Sequence, residues 1–103
     1  MELTLLMTEC CPNAAVLEER LAAALAGRPG MRIRRQVIAD EGQAVRYGMS
    51  GSPTLLADGV DPFAAPGLVP ALACRIYRDE DGRADAAPSA AALRRLVAEG
   101  GSG

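Results

Sequence analysis

From Glu2 to Val37 the chain passes through three hydrophobic patterns in turn, and that succession restricts its fold more than any other feature. Glu2 to Thr8 is a short, nearly continuous apolar run, the pattern of a buried strand. Pro12 and Asn13 then open a stretch with Ala14, Val16, Leu17, Leu21, Ala24 and Leu25 at helical spacing, while Glu18, Glu19 and Arg20 fall on the other side. Gly27, Pro29 and Gly30 stop it. Met31, Ile33 and Val37 alternate with Arg32, Arg34 and Gln36, a strand with one wet face. Strand, helix and strand in so short a span require a crossover, and a crossover implies parallel neighbours.

An arginine-studded second strand suits a sheet edge, where charge discourages pairing with other chains. Asp40 is placed to cap a short helix reaching about Tyr47, weakened by Gly42. Gly48 to Ser52 turns into Pro53-Thr54-Leu55-Leu56-Ala57, read as a third strand. Asp58-Gly59 marks a turn, and Asp61-Pro62-Phe63 to Pro70 is a proline-rich loop longer than a tight hairpin needs. Leu72 to Tyr77 reads as a fourth strand, and Pro88-Ser89 starts a last helix with Leu93, Leu96 and Val97 as its stripe. Residues 1–99 thus form one α/β domain in the order β-α-β-α-β-β-α, its last two strands antiparallel, and 100–103 form a flexible tail.

The 103 residues hold enough apolar mass for a core without disulfides or a structural metal. With two Tyr, one Phe and no Trp, that core must be built from aliphatic side chains and alanine. A net charge of -2 argues against nucleic-acid binding, which needs a basic surface. There is no histidine, which removes Cys-His pairs, Ser-His-Asp triads and His-ligated metal sites. No apolar run reaches membrane-spanning length and the amino terminus carries no targeting pattern, so the expected compartment is the cytoplasm. No cofactor is expected, and the chain is read as a monomer or a homodimer.

The chemistry-bearing stretch is Met7-Thr8-Glu9-Cys10-Cys11-Pro12-Asn13, where the first strand gives way to the first helix. A thiol at the first turn of a helix faces unpaired N–H groups and the positive end of the macrodipole, both of which favour the nucleophilic thiolate. Cys11 is therefore the candidate nucleophile. Cys10 packs beside it or tunes it, and Cys74, in an apolar strand, is either a core residue or its partner. Asn13 is a candidate helix cap or substrate contact, and Glu9 a solvated carboxylate or a proton shuttle. Arg75 is read as a solvated strand-face cation, as a charge that favours the thiolate of neighbouring Cys74, or as a contact for an anionic substrate group. Phe63, in the long loop, is a lid over the site or a plug in an aromatic-poor core.

The element order, the Cys-Pro turn after the first strand and the passage Tyr47-Gly48-Met49-Ser50-Gly51-Ser52-Pro53-Thr54-Leu55-Leu56 resemble the thioredoxin-like superfamily. The resemblance implies a four-stranded mixed sheet with helices on both faces and a cis Ser52–Pro53 bond facing the reactive cysteine. It also implies that Ser52 offers its backbone to an extended substrate. Thioredoxins carry Cys-Gly-Pro-Cys, whereas Cys11-Pro12-Asn13-Ala14 has no second thiol at the fourth position. The chain is also similar to small bacterial thioredoxin-like proteins with a Cys-Pro-Asn start. The implied activity is thiol–disulfide exchange or thiol-adduct reduction with a protein or low-molecular-weight thiol as partner. A second thiol, the distant Cys74 or the adjacent Cys10, is expected to resolve the intermediate or to share a ligand.

Cys11 and Cys74 also resemble the two separated cysteines of organomercurial lyases, with Cys74-Arg75-Ile76-Tyr77 similar to the stretch around the second. That similarity implies an organomercurial or a thiophilic metal such as mercury as substrate, held by Cys11 and Cys74. In those enzymes a carboxylic acid three residues after the first cysteine protonates the carbon; here that position is Ala14. A third expectation is a non-catalytic module that binds peptide through Ser52 and Pro53.

Overall fold

The computed structural model describes residues 1–26, 28 and 31–101. Strand β1 (Glu2–Met7) is central: β2 (Arg32–Val37) runs parallel on one side and β4 (Thr54–Ala57) antiparallel on the other. Between them lie helix α1 (Pro12–Leu25), helix α2 (Glu41–Tyr47) and the short strand β3 (Ser50–Ser52). β2 is an edge strand, as its arginines led one to expect. The expected stop signal at Gly27, Pro29 and Gly30 lies outside the described residues.

Alternation along β1 sends Leu3 and Leu5 to one face and Leu6 to the other, all three buried. Leu3 and Leu5 join Leu17 and Leu21 of α1, Leu55 of β4, and Leu93 and Val97 of the last helix, α3 (Ala90–Gly101), in an aliphatic core. Ala14, Leu17, Leu21 and Ala24 make the buried stripe of α1, and the small alanines let that helix lie close to its neighbours. Leu6 instead packs with Ile38, Met49 and Ala44 of α2 on the opposite face. Helices therefore lie on both faces of the sheet. At seven residues, α2 is only about 10 Å long, about half the reach of six-residue β1. The rest of that face is an open cleft floored by Thr4, Leu6 and Leu56.

Local caps account for the helix limits. The Asp40 carboxylate accepts from the Gln43 amide at 2.8 Å, and the Gln43 side chain accepts from the Ala39 amide at 2.8 Å. Gly48, at φ +83°, ends α2 with its amide on the Ala44 carbonyl. The Ser89 hydroxyl accepts from the Ala92 amide at the start of α3. That helix reaches Gly101, so only Ser102 and Gly103 of the expected tail lie outside the described residues.

The later strands depart from the four-stranded sheet. Pro53 does not begin the third strand: it separates β3 from β4. The expected fourth strand, Leu72 to Tyr77, is split into β5 (Ala71–Cys74) and β6 (Tyr77–Arg78). β5 pairs with β3, and in parallel rather than antiparallel; β6 forms a hairpin with β7 (Ala84–Asp85). The cause lies in the side chains. Ser50, Gly51 and Ser52 face an alanine-rich partner, and a Cβ on Gly51 would sit 2.7 Å from the Arg75 Cβ. Only glycine, here at φ +95°, lets the two backbones approach so closely. The architecture is an α/β globule with three helices, a three-stranded mixed sheet and two small strand pairs.

Candidate functional site

Strand β1 delivers Met7 to a loop that must reverse into α1 within four residues. Cys10 makes the reversal with φ +59°, an uncommon conformation for a residue with a Cβ, and it is exposed. Cys11 is the N-cap residue of α1 and half-buried; its carbonyl accepts from the Ala14 amide at 3.2 Å. The Cys11 thiol makes no capping bond. Pro12 follows at the first helical position, where its missing N–H costs nothing. Asn13 is inside the helix and makes no capping hydrogen bond, so the cap position belongs to Cys11. Glu9 is exposed, which suits a solvated carboxylate.

The Ser52–Pro53 peptide is cis. Ser52 is buried, and its hydroxyl accepts from the Thr8 amide at 3.0 Å and lies 3.3 Å from the Thr8 hydroxyl. Residues 44 apart in sequence are thereby joined, and the cis-proline segment is held against the loop that carries the cysteine pair. On its other side Ser52 is the register partner of Cys74, the exposed last residue of β5. Ser52 thus stands between the segment of Cys10 and Cys11 and the strand of Cys74. All three cysteines are free thiols. The Ser52 carbonyl accepts from the Arg75 amide at 3.0 Å, so that part of its backbone is already paired rather than open to an extended substrate.

Arg75 is not the solvated strand-face cation that its neighbours in sequence suggest. Its side chain is 4% exposed. One guanidinium nitrogen lies 2.6 Å from Asp61 Oδ2, and another donates to the Phe63 carbonyl at 2.7 Å. The guanidinium also stacks over the Tyr77 ring, 4.6 Å from its centre. Tyr77 in turn donates its hydroxyl to the Pro53 carbonyl at 2.5 Å. Burial pushes the Tyr77 phenol well above its usual range; the Arg75 charge opposes that shift and Asp61 adds to it. The carbonyls on both sides of the cis bond are therefore held by a single segment, 75–77. Phe63 packs edge-on against Tyr77 at 6.1 Å and against the main core, which makes it a plug. The Asp61 carboxylate accepts from the Phe63 amide and fixes the loop's start.

Two members of this arrangement are not marked by local sequence signals: Asp61 as the partner of Arg75, and Tyr77 as the donor to Pro53. The scarcity of aromatic residues, three in all, was the available clue that Tyr77 has a structural role. Among the described residues no group of three or more Cys, Asp or Glu side chains converges as a metal site, so a soft ion would have two thiolates at most from separate segments. Ala14 is buried and supplies no acid beside Cys11. No helix is long and apolar enough to cross a membrane. Compared with protein-family models, with curated protein sequences and with solved structures, the chain matches none of them.

Proposed function

We propose that the chain is a thioredoxin-like thiol protein of the cytoplasm, acting through Cys11 in thiol–disulfide exchange or in the reduction of thiol adducts. The observation that carries this reading is the hydrogen bond from the Thr8 amide to the Ser52 hydroxyl. It ties the loop that carries Cys11, a half-buried residue at a helix start whose thiol makes no capping bond, to the cis-proline segment, and so supports the reading. The Cys11 thiolate attacks one sulfur of a substrate R–S–S–R′, forming Cys11–S–S–R and releasing R′–S⁻, which takes up a proton. A second thiolate, from Cys74 or Cys10, attacks the Cys11 sulfur, expels R–S⁻ and leaves an internal disulfide. An external thiol pair returns that disulfide to two thiols.

The test is reduction of a small disulfide with trapping of the mixed disulfide by mass spectrometry. The adduct is expected on Cys11, and Cys11→Ser abolishes turnover; retained turnover in that variant refutes the reading. A second reading, capture of mercury or an organomercurial by Cys11 and Cys74, draws support from the place of Cys74 opposite Ser52. It requires one Hg(II) bound per chain and loss of that binding in either single Cys→Ser variant. With Ala14 in the acid position, binding without carbon–mercury cleavage is expected.

A further inference from the structure

Of the exposed large apolar side chains among the described residues, Val37 lies on β2 and Val45 and Tyr47 on α2, while Val60, Leu68, Val69 and Ile76, between 41% and 68% exposed, fall on the loop after β4 and just past β5. Leu68, Val69 and Ile76 border a groove of about 310 Å³ that also takes in Gly51, Ala73 and Cys74. A second groove of about 290 Å³, with Phe63 and Tyr77, continues from it, the two sharing Leu68, Arg75 and Ile76. Contiguous apolar surface of this kind marks an interaction site more often than scattered single residues do.

Charge narrows what fits. No carboxylate lines either groove. Arg75 is spent on Asp61 and the Phe63 carbonyl, so its charge is not on offer. Exposed Arg78, at the far end from Cys74, is the one other cation in the lining. The trough is therefore neutral and apolar for most of its length and positive at one end.

Backbone adds direction. Among the described residues no strand pairs with the outer edge of β5. The edge strand β2 is guarded by Arg32, Arg34 and Arg35, whereas Ala71-Leu72-Ala73-Cys74 carries neither charge nor proline. An unguarded edge beside an apolar groove is the arrangement used for strand addition by extended peptides.

We propose that this trough docks an extended apolar segment of a polypeptide, laid along the β5 edge past Cys74 and ending in an acidic residue at Arg78. The role of such a segment as a substrate rests on the thiol reading above; docking itself needs no thiol. The experiment therefore uses the full chain with Cys10, Cys11 and Cys74 all changed to Ser. Fluorescently labelled peptides are titrated by anisotropy: one leucine- and valine-rich with a terminal Glu, the same with Lys in place of Glu, and a Ser/Gln-rich control. Saturable binding of the Glu peptide is expected, weakened about tenfold or more by Ile76→Asp or Leu68→Asp. Both are surface positions, and circular dichroism checks that their folds are intact. Arg78→Glu is expected to reverse the preference between the Glu and Lys peptides. Equal binding of all three peptides, or binding indifferent to Ile76→Asp, overturns the proposal. So does a concentration-dependent dimer, seen by sedimentation and lost in Ile76→Asp, with no peptide bound, since a second copy then fills the trough. Because no thiol is present, failure of thiol exchange leaves this result untouched, and failure here leaves the exchange reaction standing.

Discussion

Replacing Arg75 with Met removes the most deeply buried charge in the site while keeping most of its length. At the 2.6 Å contact between Arg75 and Asp61, an effective dielectric near 20 gives an attraction of about 6 kcal/mol. Desolvating the two ions takes back several kcal/mol apiece, so the intact pair nets close to zero relative to apolar side chains. Removing one partner is a different matter. Asp61, whose side chain is 13% exposed, is left charged without its counter-ion, a loss of about 3–5 kcal/mol. The Phe63 carbonyl also loses its donor, adding about 1 kcal/mol. Arg75→Met is therefore expected to lower stability by at least about 3 kcal/mol, and the Tm by more than about 12 °C for a domain of this size. The double change Arg75→Met with Asp61→Leu leaves no orphan charge and is expected to recover most of that loss. Urea unfolding followed by circular dichroism measures Arg75→Met, Asp61→Leu and the double variant. A single-variant effect below about 1 kcal/mol, or two single effects that simply add in the double, refutes the burial argument.

Gly51→Ala is expected to destabilise by about 2 kcal/mol or more, since the new Cβ meets Arg75 and φ is +95°; urea midpoints measure it. The raised Tyr77 phenol is protonated in both states below its unfolded value of about 10, so its contribution is complete there. Stability is lost as pH rises beyond that toward the folded value, and Tyr77→Phe is expected to flatten the loss in a urea-midpoint series at alkaline pH. The Asp85 carboxyl is lowered, first by its hydrogen bond from Arg20, which lies at 3.0 Å. Its contribution is complete above the unfolded value of about 4 and is lost as pH falls through the folded one. Thermal melts of Arg20→Leu across acid pH are expected to show a smaller acid loss than the parent chain.

What could be read along the chain was local. The α1 stripe ending at Leu25, the Asp40 cap, the Gly48 end and the start at Ser89 each depend on residues within a turn or two, so spacing and cap chemistry expose them. Cys11 at the helix start belongs to the same class, whereas the cis Ser52–Pro53 bond was implied by the resemblance to thioredoxin-like chains rather than by local spacing. Failures came where distant segments decide. The mostly apolar run from Leu72 to Tyr77 carries no information about its partner, and the pairing of β5 with β3 depends on a close approach of Gly51 to Arg75 that no local window shows. Arg75 reads as a surface cation because its compensating charge stands at Asp61, beyond any local window. Asn13 looked like a cap because a proline next to it hid which residue came first in the helix.

The measurement that bears most directly on Cys11 as a working thiol is site-resolved alkylation of the native chain, read by mass spectrometry before and after mild oxidation with diamide. The expected result is fast labelling of Cys11 in the folded protein, lost on oxidation as a Cys11–Cys74 disulfide forms. Slow labelling of Cys11 until the chain is unfolded, with no disulfide formed at that residue, would contradict it.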